Sequence, residues 1–269
     1  MTALFVIAAL LAVASGYFLW QARTHRGRKS QLLAVETMST GELRTYVQAA
    51  ADAAGPGAFS QHVELAGVAR PGDLGLLTSE LSGTECVWHQ HKVTRRYREH
   101  YRDSEGRRRT RTKEEVVTRH RTQDPFVLRD DAGEVVVVPT TNVQGGRKVV
   151  SRFEEGRDDD DRTELTIGSF KLALPSSRGQ DTIGYEYEEW VLVPDTRVFV
   201  QGEARDDGGR LEVGKPRDGG QELLISTRSE ADLLDSADQG ITQNTRFAIG
   251  AGVLAVVLAI AGVVVALVR

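Results

Sequence analysis

Residues 184–205 read GYEYEEWVLVPDTRVFVQGEAR, and their spacing decides what the middle of the chain can build. Tyr185 and Tyr187 alternate with Glu186 and Glu188, the period of two expected of a strand with one covered face. TRVFVQGEAR (196–205) likewise reads as a strand or hairpin. Pro194 and Asp195 separate the two, because proline cannot donate to a sheet ladder and aspartate tolerates turn backbone.

The same reading extends outward. QHVELAGVAR (61–70), TECVWHQHKVTRRYREHY (84–101), EEVVTRHRT (114–122), PFVLRDDAGEVVVVP (125–139) and RLEVGKP (210–216) all read as strands or hairpins. Asp131-Ala132-Gly133 and Asp207-Gly208-Gly209 supply the turn residues that short hairpins prefer. Val63 to Arg70 and Val198 to Arg205 both fit V-x-x-x-G-x-A-R, an echo that suits either two related β units or coincidence in a chain rich in these residues. Helices flank the strands. Ser39 stands three residues before Glu42, a capping-box spacing, in a segment that ends at Gly55, and a second helix is expected from Ser229 to Gly240. Residues 39–240 are therefore expected to form a β-rich domain with short flanking helices.

Both ends are apolar. From Phe247 to Val268 no side chain is charged, and at about 1.5 Å per residue the run extends roughly 33 Å, enough to cross a hydrocarbon core. Ala3 to Trp20 is interrupted only by Ser15 and Gly16, and Tyr17 and Trp20 stand where an interfacial aromatic belt would sit. The sequence thus predicts an α+β membrane protein with transmembrane helices at 3–20 and 247–268. A cleaved signal peptide is the rival for the first span, since Ala12-Val13-Ala14 has small-x-small form, but no Lys or Arg precedes the apolar run. Arg23, Arg26, Arg28 and Lys29 crowd just after the first span and point the central domain to the cytoplasm. A single cysteine, Cys86, suits a reducing compartment.

Lys plus Arg number 34 and Asp plus Glu 38, for a net charge of -4, which is not the composition of a nucleic-acid binder. Charge is uneven, however. Between Arg95 and Arg121 basic residues outnumber acidic ones about two to one, and a turn at Asp103 to Gly106 makes this stretch a long hairpin. Arg107, Arg108 and Arg109, at its tip, are the candidate contacts for anionic headgroups or a protein partner, against the plainer reading of a charged edge that prevents strand aggregation. Cys86, His89 and His91 are metal ligands by type. On a strand, though, His89 and His91 share a face that Cys86 does not, so no metal or other cofactor is expected. Asp158 to Asp161 lack the spacing of a calcium loop. Glu188 and Glu189 are neighbours on a strand and face opposite sides, which rules out an acid/base dyad. No nucleophile elbow, zinc-protease or Walker motif is present, and no catalytic residue is assigned.

Five segments in this order resemble the GIDE family, also called the "beside a membrane" or BAM domain: VELAGVARP (63–71), LTSELSGTECVWHQHKV (77–93), DPFVLRDDAGEVVVVP (124–139), IGYEYEEWVLVPDTRVFVQGEA (183–204) and ELLISTRSEADLL (222–234). The resemblance implies a module anchored in a bilayer, with a protein partner. In eukaryotic members it also implies ubiquitin or SUMO transfer by a C-terminal RING, and a domain in the mitochondrial intermembrane space, the opposite of the cytoplasmic side indicated by Arg23 to Lys29. A RING takes about eight Cys or His ligands for two zinc ions. This chain has one Cys and six His, so the resemblance points to a recognition part without the ligase part.

Overall fold

The two segments that share V-x-x-x-G-x-A-R lie side by side in the computed structural model, which describes residues 2–32, 36–156, 164–167, 170–173, 180–207, 209–218 and 222–267. Ser60–Arg70 runs antiparallel to Arg197–Asp207, with Val63 opposite Gly202, Leu65 opposite Val200 and Gly67 opposite Val198. The echo therefore marks neighbouring staves of one sheet, related by the local twofold of an antiparallel pair. The glycines have a steric cause. A Cβ at Gly67 would come 2.5 Å from the Arg129 carbonyl oxygen, and one at Gly202 would come 2.7 Å from that of Gly214.

These two staves belong to a closed ring. Ser60–Arg70 also pairs with Phe126–Asp130, which turns back into Gly133–Val137. That strand runs parallel to Arg210–Gly214, which returns antiparallel to Arg197–Asp207. In chain order the ring reads first, second, third, fifth, fourth, and back to the first, with the third-to-fifth contact the parallel one. This is the Greek-key connectivity of a small five-stranded barrel of the OB type, and closure leaves the ring without a free edge. Val63, Leu65, Leu128, Val137, Val200 and Val213 are fully buried in its core.

Helix α2 (Thr40–Ala54) docks on the barrel as its cap dictates. Ser39 and Glu42 exchange both hydrogen bonds of a capping box. Thr40 then donates its backbone N–H and its hydroxyl to Asp130, at 2.7 and 2.6 Å. Asp130 also accepts from the amides of Ala132 and Gly133, so one carboxylate ties the helix start to the hairpin turn at 131–133. Leu43 is fully buried in the same core.

Two long excursions leave the ring, one after its first strand and one after its third. They meet in a second, antiparallel sheet ordered Arg147–Glu155, Gln180–Leu192, Trp88–Arg102, Arg108–Arg121. Val87, Trp88 and Leu192 plant its base in the barrel core, and Val93, Tyr185 and Tyr187 form a smaller core further out. Asp158 to Asp161 lie outside the described residues.

The remaining unit, residues 1–36 and 228–269, is a pair of helices. Helix α1 (Thr2–Leu32) runs on past Trp20, and α3 (Glu230–Leu267) is continuous through Gly240, where the sequence suggests a stop. Gly240 does not end α3 because it serves a packing need: a Cβ there would meet the His25 ring at 2.8 Å. The helices are antiparallel and touch along their length. Lys29 pairs with Asp238 at 2.7 Å, the Phe18 and Phe247 rings stack at 5.5 Å, Ser15 donates to the Ala248 carbonyl at 2.8 Å, and Phe5 lies against Gly262. Both helices are long and apolar enough to cross a membrane.

Candidate functional site

The hairpin Trp88–Arg121 carries Arg107, Arg108 and Arg109 as well as His89 and His91, and its register sorts them. Asp103 closes the tip: its carboxylate accepts from the amides of Glu105 and Arg107 and from Arg109 Nε, at 3.0, 2.9 and 3.1 Å. Gly106, at φ 77°, completes the turn in the left-handed region that favours glycine. The N–H of Arg107 and the guanidinium of Arg109 hold the Asp103 carboxyl below the usual carboxylate range. Arg107 is in addition paired with Glu105. Two of the three tip arginines are therefore occupied by the turn itself.

Below the tip the cross-strand pairs are Arg102 with Arg108, Tyr101 with Arg109, His100 with Thr110, Glu99 with Arg111 and Arg98 with Thr112. Alternate residues face opposite sides. On one side the cations are neutralised or stacked. Glu99 accepts from both Arg111 and Lys113, which keep its pKa low, Arg111 covers the Tyr101 ring, and Arg95 covers Tyr97. On the other side His100 is bound to Asp181 at 2.9 Å and Arg96 to Glu114 at 2.9 Å. Arg98, Arg102 and Arg108 on that same side are exposed and have no ion pair among the described residues. Of Arg107, Arg108 and Arg109, the structure thus keeps Arg108 as an open cation and groups it with Arg98 and Arg102. The register is that of a tip centred on Glu105, in which the numbers of paired residues sum to 210.

Nearer the barrel, the side shared by His89 and His91 gathers a buried polar cluster. His91 lies opposite His120 across the strands, a pairing displaced by one residue through a bulge at Val93/Thr94. The rings of His89 and His91 stand 6.4 and 5.7 Å from that of His120. The loop 79–84 folds over them: Glu80 reaches His91 Nδ1 at 2.6 Å and His120 Nε2 at 3.8 Å. Glu189, itself 0% exposed, clasps the loop by accepting from Ser79 Oγ at 3.1 Å and from the amides of Leu81 and Ser82 at 2.7 and 2.9 Å. Burial depresses the pKa of His89 and of His91, against the opposing pull of the Glu80 and Glu189 charges, and keeps both rings neutral near pH 7. His120, Glu80 and Glu189 were not selected from sequence, because the bulge and the loop fold that bring them in leave no local pattern.

Cys86 stands apart, in a two-residue strand paired with Leu77–Thr78. Burial pushes its thiol up to about 11, which leaves it a poor metal ligand and a poor nucleophile. Among the described residues no group of three or more His, Cys, Asp or Glu side chains is arranged to hold a metal ion. Glu188 and Glu189 face opposite sides as the alternation requires. Burial alone would raise the Glu188 pKa, but hydrogen bonds from Lys148 at 2.7 Å and Lys92 at 2.8 Å outweigh it and leave the group ionised. The site as built offers cation contacts and a clasped loop over the Glu80–His91 pair.

No curated protein and no solved structure matches the chain. A family model described as GIDE, E3 ubiquitin ligase, matches residues 96–260, from the basic hairpin through four of the five barrel strands and into the second apolar helix. That match takes in more than half of the sequence, and the chain belongs to the GIDE family.

Proposed function

We propose that this chain is a two-span membrane protein whose β-rich domain recognises a protein partner or lipid headgroup beside the bilayer, on the cytoplasmic side. The carrying observation is the helix pair. Its inner seam is closed by Ala8, Ala22, Ala248 and Ala255, while Leu10, Val13, Ile249 and Val253 are 65, 72, 61 and 59% exposed. An apolar surface of that extent is at home in hydrocarbon and a liability in water. The seam also favours a retained first helix over a cleaved leader, since Phe5, Ser15 and Phe18 all have partners on α3. The cytoplasmic side rests on Arg23, Arg26, Arg28 and Lys29. The test is alkaline carbonate extraction of native membranes. Retention in the pellet is expected, and release into the supernatant would remove the reading.

A second reading follows from the family's description as an E3 ubiquitin ligase. The chain would supply substrate recognition to a ubiquitin-like conjugation system, with the zinc module on another protein, since one Cys and six His fall short of a RING's ligand set. Cross-linking and purification from native membranes should then recover a conjugation enzyme or modifier. Recovery of neither counts against it.

A further inference from the structure

The open arginines of the hairpin form a surface with a definite chemistry. Arg98 and Arg102 stand four positions apart on one strand and on one face, about 13–14 Å from end to end, with Arg108 directly across from Arg102. On this face Arg96 is paired with Glu114, and Asp181 lies within hydrogen-bonding distance of His100, so neither acidic group is engaged by the three guanidinium groups. We propose that this face binds the phosphate groups of anionic lipid headgroups at a membrane surface. This inference deepens the membrane-side reading above and rests on it.

Three observations select that ligand over other anions. Guanidinium groups match phosphate oxygens in pairs, and three on one flat face suit a planar array of phosphates better than a single buried anion. Immediately around the three arginines the face carries Thr110 and Thr112, with its exposed apolar side chains, Val116 and Phe153, set further along the sheet. Phe153, on the same face, already carries the Arg96 guanidinium at 5.4 Å from its ring, which competes with a stacking base. The opposite face, where Arg111 and Arg95 stack on tyrosines and Glu99 takes two cations, serves as an internal control.

The experiment uses the full chain inserted in phosphatidylcholine nanodiscs and captured on a surface, with vesicles of phosphatidylcholine, with or without phosphatidylserine, flowed across. The native chain should capture the phosphatidylserine vesicles and not the neutral ones, and capture should fall as salt rises. R98E/R102E/R108E should weaken capture on the order of a hundred-fold, and the glutamine triple should weaken it less. R107E/R109E, at positions already engaged by Glu105 and Asp103, should change it by no more than a few-fold. Equal capture of neutral vesicles, full capture by the R98E/R102E/R108E chain, or an equal loss in R107E/R109E would overturn the proposal. Insertion is scored separately, by co-elution of chain and disc, so a failure of the anchoring reading and a failure of this face give different results.

Discussion

Gly67 and Gly202 show how a residue-scale constraint can be visible in a sequence while its meaning is not. The repeated V-x-x-x-G-x-A-R is plain in the chain, but its period says only that two segments are alike. The pairing of Val63 with Gly202 and Val198 with Gly67 shows why: each valine fills the barrel beside a point where the neighbouring backbone comes too close for any side chain. We expect Gly67→Ala and Gly202→Ala each to cost about 1–3 kcal/mol of stability, read as a lower denaturant midpoint with an unchanged slope. At the clasp, Glu189→Gln keeps the shape but turns an amide toward the N–H groups of Leu81 and Ser82. The expected loss is about 1–3 kcal/mol, with faster hydrogen exchange at those two amides before any other in the sheet. The buried histidines add a pH dependence whose sign is fixed by their depressed pKa values. A group whose folded pKa lies below its unfolded value near 6.5 binds its proton more readily when unfolded, so stability is full above that value and falls as the pH drops below it toward the folded values. The protection of the 79–84 amides, taken relative to their intrinsic exchange at each pH, should therefore fall between pH 7 and pH 5.5, and His89→Gln should reduce the change. A flat profile in the native chain would show that the cluster is not coupled to the loop.

Among the elements, the helix and the hairpin were legible for different reasons. Ser39, Glu42 and Gly55 mark both ends of α2 by local chemistry, and the structure places the helix between them. Ser39→Ala should cost about 1 kcal/mol, measured as a loss of thermal stability, since it removes one half of a reciprocal cap. The hairpin was legible from its turn and alternation, but its function-bearing face was not, because a side chain's freedom depends on what its neighbours across the strand take up. Arg107 and Arg109 look as available in the sequence as Arg108 does, and the Asp103 turn engages both of them in local contacts. Asp103→Ala should loosen the tip and free Arg109. It should leave the Arg102 and Arg108 pair in place, which cross-strand NMR contacts between them would register. The longer extent of α3 has a similar cause. Gly240 reads as a helix end until its close approach to His25 is seen, a contact between residues more than two hundred positions apart in the chain.

At the scale of the whole molecule the sequence yielded the class and two helices long and apolar enough to cross a membrane, because periodicity and apolar length are local properties. Closure of the barrel was out of reach. It depends on Ser60–Arg70 meeting Arg197–Asp207, and on the parallel contact between Gly133–Val137 and Arg210–Gly214, across insertions that build a second sheet of their own. What the assembled chain presents is a pair of apolar helices with a lipid-ready exterior and a barrel domain bearing a cationic hairpin, within a family described by ubiquitin ligation. The central claim is that both helices hold the domain to a membrane from its cytoplasmic side. Cys86 is buried, so a cysteine placed at the exposed Ser104 by Ser104→Cys would be the accessible thiol. Intact cells treated with a membrane-impermeant maleimide should leave that thiol unlabelled until the membrane is opened, with the protein in the carbonate-resistant pellet throughout. Labelling in intact cells, or recovery of the chain in the soluble fraction, would contradict the account.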